Sequence, residues 1–181
     1  LLPLLPETAL LPYAPDGGLA DDGHHHEGPV DPHFWSDPTV AAQLIDPLAE
    51  QLAQLHPERA AEYRQNAAAF KTALDAADRQ AAEILAPVRG RSVAVFHHGI
   101  DYLLHRYGIP VAGAVEPSPG KSAGPRSLQE LAAKLKGLGV KAVFTEPQLP
   151  QQAAIAVAEE AGAKVVEVDP NGGVPGRETY E

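Results

Sequence analysis

The sequence predicts an α/β protein in which a long helical segment precedes a four-stranded parallel sheet. Residues 37–86 place apolar side chains three and four positions apart, which is the period of an amphipathic helix. Residues 88–181 instead alternate short runs rich in β-branched residues with helical stretches, as βαβ units do. The length of 181 residues is compatible with one domain, or with one domain and part of another.

The amino-acid composition excludes several classes of function for this protein. The chain has 24 acidic and 14 Lys and Arg residues, a net charge of −10, which argues against nucleic acid as a partner and is compatible with cations. Cysteine is absent, so thiol nucleophiles, thiolate zinc sites and disulfides are excluded. No apolar run approaches the roughly 20 residues of a membrane helix, so no direct membrane span is expected. Methionine is also absent, so we expect Leu1 not to be the native start.

The first helix is predicted to begin at Asp37-Pro38, because Asp caps free N–H groups and Pro suits the first turn. Asp46-Pro47 is expected to kink or restart it. A second helix is predicted from His56-Pro57 to Pro87, with one apolar stripe over about eight turns, as in a strut between lobes. Residues 1–36 lack periodicity and are predicted to be loop.

Four strands and three helices are predicted after Pro87. Ser127 and Glu130 have the spacing of a capping box, which predicts a helix start there. The predicted strands are 91–96, 110–115, 140–145 and 164–168, and the predicted helices are 99–107, 128–136 and 150–161.

Each predicted strand runs directly into a metal ligand or proton carrier. These residues are His97-His98, Glu116, Glu146 and Asp169. The carboxyl ends of parallel strands form the ligand-binding edge of an open sheet, and imidazole with carboxylates suits divalent cations. Each acidic residue alone is better explained as a turn former or helix cap before Pro than as a functional group. Of the two histidines, only one is expected to be a ligand.

Two histidine segments lie ahead of the first helix. His24, His25 and His26 form an acidic His-rich tract, which is either a loose metal binder or a polar loop. His33 lies between Pro32 and the single tryptophan, Trp35, so it is expected to be held rigidly, as a metal ligand requires. A core histidine is the alternative.

The motifs together resemble the zinc/manganese-type substrate-binding proteins of ABC transporters (cluster A-I), which include high-affinity zinc uptake receptors. Residues 31–38 read DPHFWSDP and resemble the family segment DPHxWLDP. Residues 143–148 read VFTEPQ and resemble vFxEPQ. Two further family segments are matched by Val95-Phe96-His97 with the later Tyr102, and by Val168-Asp169-Pro170. All four segments occur in the family's order, and the match covers roughly residues 20–175.

The resemblance implies two α/β lobes joined by a rigid helix, with the metal between them. It implies His33, His97 and Asp169 as metal ligands, with Glu146 and the tract His24, His25 and His26 as auxiliary groups. A histidine at position 97 points to Zn²⁺, with Mn²⁺ as the alternative. The family's fourth ligand, an early histidine, is not present before His24, and His98 replaces an acidic residue.

The same resemblance divides the chain into three expected parts. Residues 1–36 would be a remnant of the N-terminal lobe, 37–87 a helical connector and 88–181 the C-terminal α/β lobe. Most of the N-terminal lobe, and a helix after residue 181, are expected to be missing.

Three functions follow from these observations. The first is a receptor, not an enzyme, that captures Zn²⁺ and delivers it to an ABC permease. Its expected location is periplasmic or extracellular, with lipid anchoring through the missing N-terminus left open. The second is a zinc hydrolase with the same ligands and Glu146 or Glu116 as general base, although no HExxH motif is present. The third is a structural α/β module with a solvent-exposed His tract.

Overall fold

A computed structural model describes residues 1–13, 30–116, 123–172 and 176. Helix α1 spans Pro38–Leu55, and its start follows the prediction. Asp37 caps it, because its Oδ1 accepts hydrogen bonds from the backbone N–H groups of Thr39 at 2.7 Å and Val40 at 3.4 Å. The helix continues through Pro47 instead of restarting there. Buried residues on both sides of this proline, Leu44 and Ala49, hold the two halves in one element.

Helix α2 spans Ala60–Leu85 after a 3₁₀ turn at Pro57–Arg59, and at 26 residues it is about 39 Å long. It packs along α1, where Arg64 and Glu50 form a two-pronged ion pair at 2.7 and 2.8 Å. The predicted apolar stripe is only partly covered: Ala67 and Leu74 are buried, but Phe70 is 40% exposed.

Four parallel strands form one sheet in the order β2-β1-β3-β4, which confirms the predicted fold class. Each strand is one to three residues shorter than the sequence predicts. The strands are β1 (Val93–Val95), β2 (Val111–Ala114), β3 (Ala142–Thr145) and β4 (Lys164–Glu167), and the helices that follow the first three are α3 (Asp101–Arg106), α4 (Pro125–Gly137) and α5 (Gln152–Ala161).

Both faces of the central strand β1 are buried, as expected where helices cover a parallel sheet, whereas three of the four residues of the edge strand β4 are exposed. Alternate residues of β1 face opposite cores: Ala94 joins Leu135 of α4 and Val157 of α5, whereas Val95 joins Leu104 of α3 on the other side. The end of α2 packs against this second core through partly buried residues, Ala81 and Leu85. The long helix is therefore fixed to the sheet at its C-terminal end.

The predicted capping box of α4 is wrong. The helix begins at Pro125, with Gly124 at its cap position and no side-chain cap. Pro125 is suited to the first helical position, which places Ser127 inside the first turn. Glu130 instead pairs with Arg126 one turn earlier, at 2.9 Å.

Among the described helices, none is both long enough and apolar enough to cross a membrane.

Candidate metal site

The strand order brings His97 and Glu146 together at the switch point of the sheet. The chain leaves β1 toward β2 on one side and later returns to β3 on the other, which opens a crevice at the carboxyl ends of β1 and β3. His97 follows β1 and Glu146 follows β3, and His97 Nδ1 lies 2.6 Å from Glu146 Oε1. This is an ion-pair distance without hydrogen-bond alignment. The carboxylate is nearly buried, whereas the imidazole stays partly exposed.

Gly99 makes this arrangement possible. A Cβ atom at position 99 would lie 2.6 Å from His97 Cε1, closer than real Cβ atoms approach, and 3.0 Å from Glu146 Oε1, which is tighter than most real contacts. The His97 ring therefore rests over a position that has no side chain.

His33 is oriented by Asp31, a residue that the sequence reasoning did not single out. The buried Asp31 Oδ1 lies 2.6 Å from His33 Nδ1 and also accepts the His33 backbone N–H at 2.9 Å. The missed signal was the two-residue spacing, which is that of an Asx turn. A carboxylate oxygen thus lies 2.6 Å from Nδ1 of His33, as it does from Nδ1 of His97, and a proton on Nδ1 would leave Nε2 of each ring as the ligand atom.

The structure places the His33 and His97 rings side by side. Their centroids are 5.4 Å apart and their planes meet at 82°. The two imidazoles come from distant parts of the chain, the segment before α1 and the end of β1. Each keeps a carboxylate at Nδ1, which is the usual outer support of a metal-bound histidine.

Asp169 lies in the loop after β4, where Gln148 and Asn171 bind its Oδ1. Gln148 Nε2 donates to that oxygen at 2.8 Å and the Asn171 backbone N–H at 3.2 Å. In the parts of the chain that the structure describes, no three His, Asp or Glu side chains form a group that could hold a metal ion. His33 and His97 are thus brought together, and the full set with Asp169 stays a prediction.

The remaining candidates lie elsewhere. His98 turns into the protein, where its Nδ1 lies 2.6 Å from Asp101 Oδ2 and its ring is buried. Glu116 follows β2, the strand at the sheet edge away from β3. His24, His25 and His26 fall outside the described residues.

The two flanks of residues 14–29 meet beside His33. Pro12 and Val30 form an antiparallel bridge, and the Asp31 backbone N–H donates to the Leu11 carbonyl at 3.0 Å. The buried Tyr102 hydroxyl bridges the same two segments, because it accepts a hydrogen bond from the Leu11 N–H at 2.9 Å and donates one to the Asp31 carbonyl at 3.0 Å. Burial raises the pKa of Tyr102, so the phenol keeps the proton that it donates.

Comparisons with known proteins agree with this architecture. Residues 7–181 match the family described as zinc-uptake complex component A, periplasmic (ZnuA). The high-affinity zinc uptake system protein ZnuA of Brucella abortus (strain 2308) is 37% identical over 145 residues, which cover 80% of this chain and 43% of that protein. The chain thus spans less than half the length of this relative.

Solved structures match the fold. One titled "Crystal structure of ZnuA" superposes with a TM-score of 0.70 at 30% identity, covering 78% of this chain and 55% of that one. The substrate-binding protein FpvC of Pseudomonas aeruginosa, solved in complex with Mn²⁺, gives a TM-score of 0.68 at 29% identity, covering 78% and 54%.

The matching family and the Brucella relative are described as components of zinc uptake, which confirms the prediction of a binding component and gives the hydrolase alternative no support. The extent of the family match and the agreement of the fold lead to one assignment. The chain belongs to the family of periplasmic zinc-uptake components typified by ZnuA.

Proposed function

We propose that this chain forms part of an extracytoplasmic receptor that captures Zn²⁺ and delivers it to an ABC permease. The observation that carries the proposal is the pair of imidazoles at the β1/β3 crevice: His33 and His97 lie edge to face at 5.4 Å, each with a carboxylate oxygen 2.6 Å from Nδ1. Histidines that bind metals usually have this outer carboxylate, which orients the ring and makes its free nitrogen a better ligand.

Asp169 is the proposed third ligand. Its loop is held near His33 by Trp35, whose indole Nε1 donates to the Pro170 carbonyl at 3.0 Å. A carboxylate added to two imidazoles forms a mixed nitrogen and oxygen set of the kind that zinc accepts. Two nitrogen ligands favour Zn²⁺ over Mn²⁺, because manganese is better suited to oxygen-rich sites. Manganese is the competing cargo, and it is the ion in the FpvC structure.

The proposed cellular setting follows from the family. Its members are described as periplasmic components of zinc uptake, which supports a location outside the cytoplasm and a membrane permease as partner. The negative charge of the chain adds only a modest attraction for cations at physiological salt. The division into residues 1–36, 37–87 and 88–181 stays a prediction, as does lipid anchoring.

Competition titration against a fluorescent zinc chelator tests the site. We expect His33→Ala, His97→Ala and Asp169→Ala each to weaken Zn²⁺ binding at least about tenfold, since each removes a ligand. His56→Ala is the matched control, because His56 is exposed and pairs with Glu58 at 3.5 Å away from the site. Wild-type protein without micromolar zinc affinity, or a His33→Ala variant that binds as the wild type does, contradicts the proposal.

Delivery needs a separate measurement on the whole protein. Cells that carry His97→Ala in the full-length gene are expected to grow poorly in zinc-depleted medium and to recover when zinc is added. Cells carrying the His56→Ala control are expected to grow as the wild type does. Normal growth of the His97→Ala cells under depletion would contradict a role in zinc uptake.

A further inference from the structure

We infer that Tyr102 is a positioning residue that sets the separation of His33 and His97, an inference that rests on the proposed function. Tyr102 lies on α3, the helix that follows His97 in the chain, and it is only 1% exposed. Its hydroxyl bonds to two other segments, accepting from the Leu11 N–H at 2.9 Å and donating to the Asp31 carbonyl at 3.0 Å. One side chain therefore joins three parts of the chain at the site.

On one side, this hydroxyl holds the residue that orients His33. Asp31 is tied through its backbone to Tyr102 and Leu11, and its carboxylate lies against His33 Nδ1 at 2.6 Å. Asp31 is 2% exposed, so no solvent shell replaces these contacts. A shift of the Asp31 backbone would thus move the imidazole with it.

On the other side, Tyr102 shares a rigid segment with His97. The turn between β1 and α3 is closed by the buried pair of His98 and Asp101, whose Nδ1 and Oδ2 atoms lie 2.6 Å apart. The Tyr102 ring is also packed into an apolar cluster with Phe34, which follows His33. Tyr102 thereby connects the His97 segment to the His33 segment twice, by its ring and by its hydroxyl.

The two connections have separable consequences. Removing only the hydroxyl leaves the apolar packing but breaks both hydrogen bonds, so Asp31 and the His33 ring lose their fixed position relative to His97. Zinc–ligand distances in proteins lie within about 0.2 Å of their standard values, so a shift of His33 relative to His97 weakens binding although every ligand is still present. Changes to residues outside the ligand shell typically cost about 10- to 100-fold in metal affinity.

Tyr102→Phe tests the inference, with Tyr107→Phe as the matched control. Tyr107 is also buried and belongs to the C-terminal cap of the same helix, but its hydroxyl donates to Asp78 Oδ1 on α2 at 3.0 Å. Both variants keep an aromatic ring and lose a buried hydroxyl, so both are expected to lower the thermal midpoint. Zinc affinity by chelator competition and the visible absorption of the Co²⁺-substituted protein are then compared.

We expect Tyr102→Phe to weaken Zn²⁺ binding about tenfold and to change the Co²⁺ spectrum, with Tyr107→Phe matching the wild type in both. A Tyr102→Phe protein within twofold of the wild type, or an equal loss in Tyr107→Phe, overturns the inference while leaving the proposed function in place. Absence of zinc binding by the wild type overturns both. If Tyr102→Phe does not fold in buffer, both variants are measured in concentrated sucrose, which favours the folded state, and unchanged zinc affinity of Tyr102→Phe there likewise overturns the inference.

Discussion

Trp35 and Pro170 connect the two ends of the candidate site. The Trp35 indole Nε1 donates to the Pro170 carbonyl at 3.0 Å, joining the segment that carries His33 to the loop that carries Asp169. Trp35 also packs edge-on against the His33 ring, with centroids 5.4 Å apart. The arrangement of the proposed third ligand relative to the first thus depends on this one indole.

Trp35→Phe is expected to weaken Zn²⁺ binding several-fold, because a smaller aromatic ring remains but the N–H that holds the Pro170 loop is lost. The free energy of unfolding is expected to fall by at least about 1 kcal/mol, the usual worth of one such hydrogen bond, since the smaller ring also loses packing contacts. Chelator competition and urea unfolding measure the two effects. Unchanged zinc affinity together with a loss of stability would show that the contact is structural only.

Zinc binding is also expected to change the fluorescence of the protein. Trp35 is the single tryptophan of the sequence and lies against His33, so the indole reports directly on the site. Titration of Zn²⁺ should alter the emission until saturation, and His33→Ala should abolish the change. A variant lacking His33 that gives the same fluorescence titration would place the metal elsewhere.

Gln148→Leu is expected to weaken Zn²⁺ binding several-fold without unfolding the protein. Gln148 Nε2 donates to Asp169 Oδ1 at 2.8 Å and to the Gly172 carbonyl at 3.3 Å, so its loss frees the loop that carries the proposed ligand. The matched control is Gln151→Leu, whose amide donates to the exposed Glu167 carboxylate at 3.0 Å. Equal zinc affinities for the two variants would remove Gln148 from the site.

Asp78→Asn is expected to destabilise the protein at neutral pH but less so in acid. Hydrogen bonds from Arg106 at 2.9 and 3.0 Å are the main cause that holds the pKa of Asp78 below its usual value, and Tyr107 adds another at 3.0 Å. A lowered folded pKa contributes stability above the unfolded value of about 4, and that stability is lost as pH falls through the folded value.

Since Arg106 is partly exposed, the expected loss is about 1 kcal/mol near pH 7. The difference between wild type and Asp78→Asn should shrink as the pH falls below about 4, and urea unfolding across this range measures it. A difference that stays constant with pH would contradict the role given to this ion pair. Zinc affinity, by contrast, should be unchanged, because the partners of Asp78 are Arg106 and Tyr107, neither of which is a proposed ligand.

Features that depend on neighbours in the chain were predictable from the sequence. The cap of α1 at Asp37, the parallel α/β class and the placement of His97, Glu146 and Asp169 at strand ends all follow from local periodicity and turn chemistry. The α4 start was not predicted correctly, because Ser127 and Pro125 offer competing local signals and the proline prevailed. The Asp31 partner of His33 was readable from spacing but was overlooked.

Strand order and packing between distant segments required the tertiary structure. The contact of His97 with Glu146 exists because β3 pairs with β1 and not with β2, a choice made by the crossovers and not by either motif. The link from Tyr102 to Asp31 and the donation from Trp35 to Pro170 likewise join residues far apart in sequence. The sequence by itself determined which candidate ligand side chains follow the ends of the strands and precede the first helix. Only tertiary packing decided which of them meet, because approach distances depend on the whole core and not on local spacing.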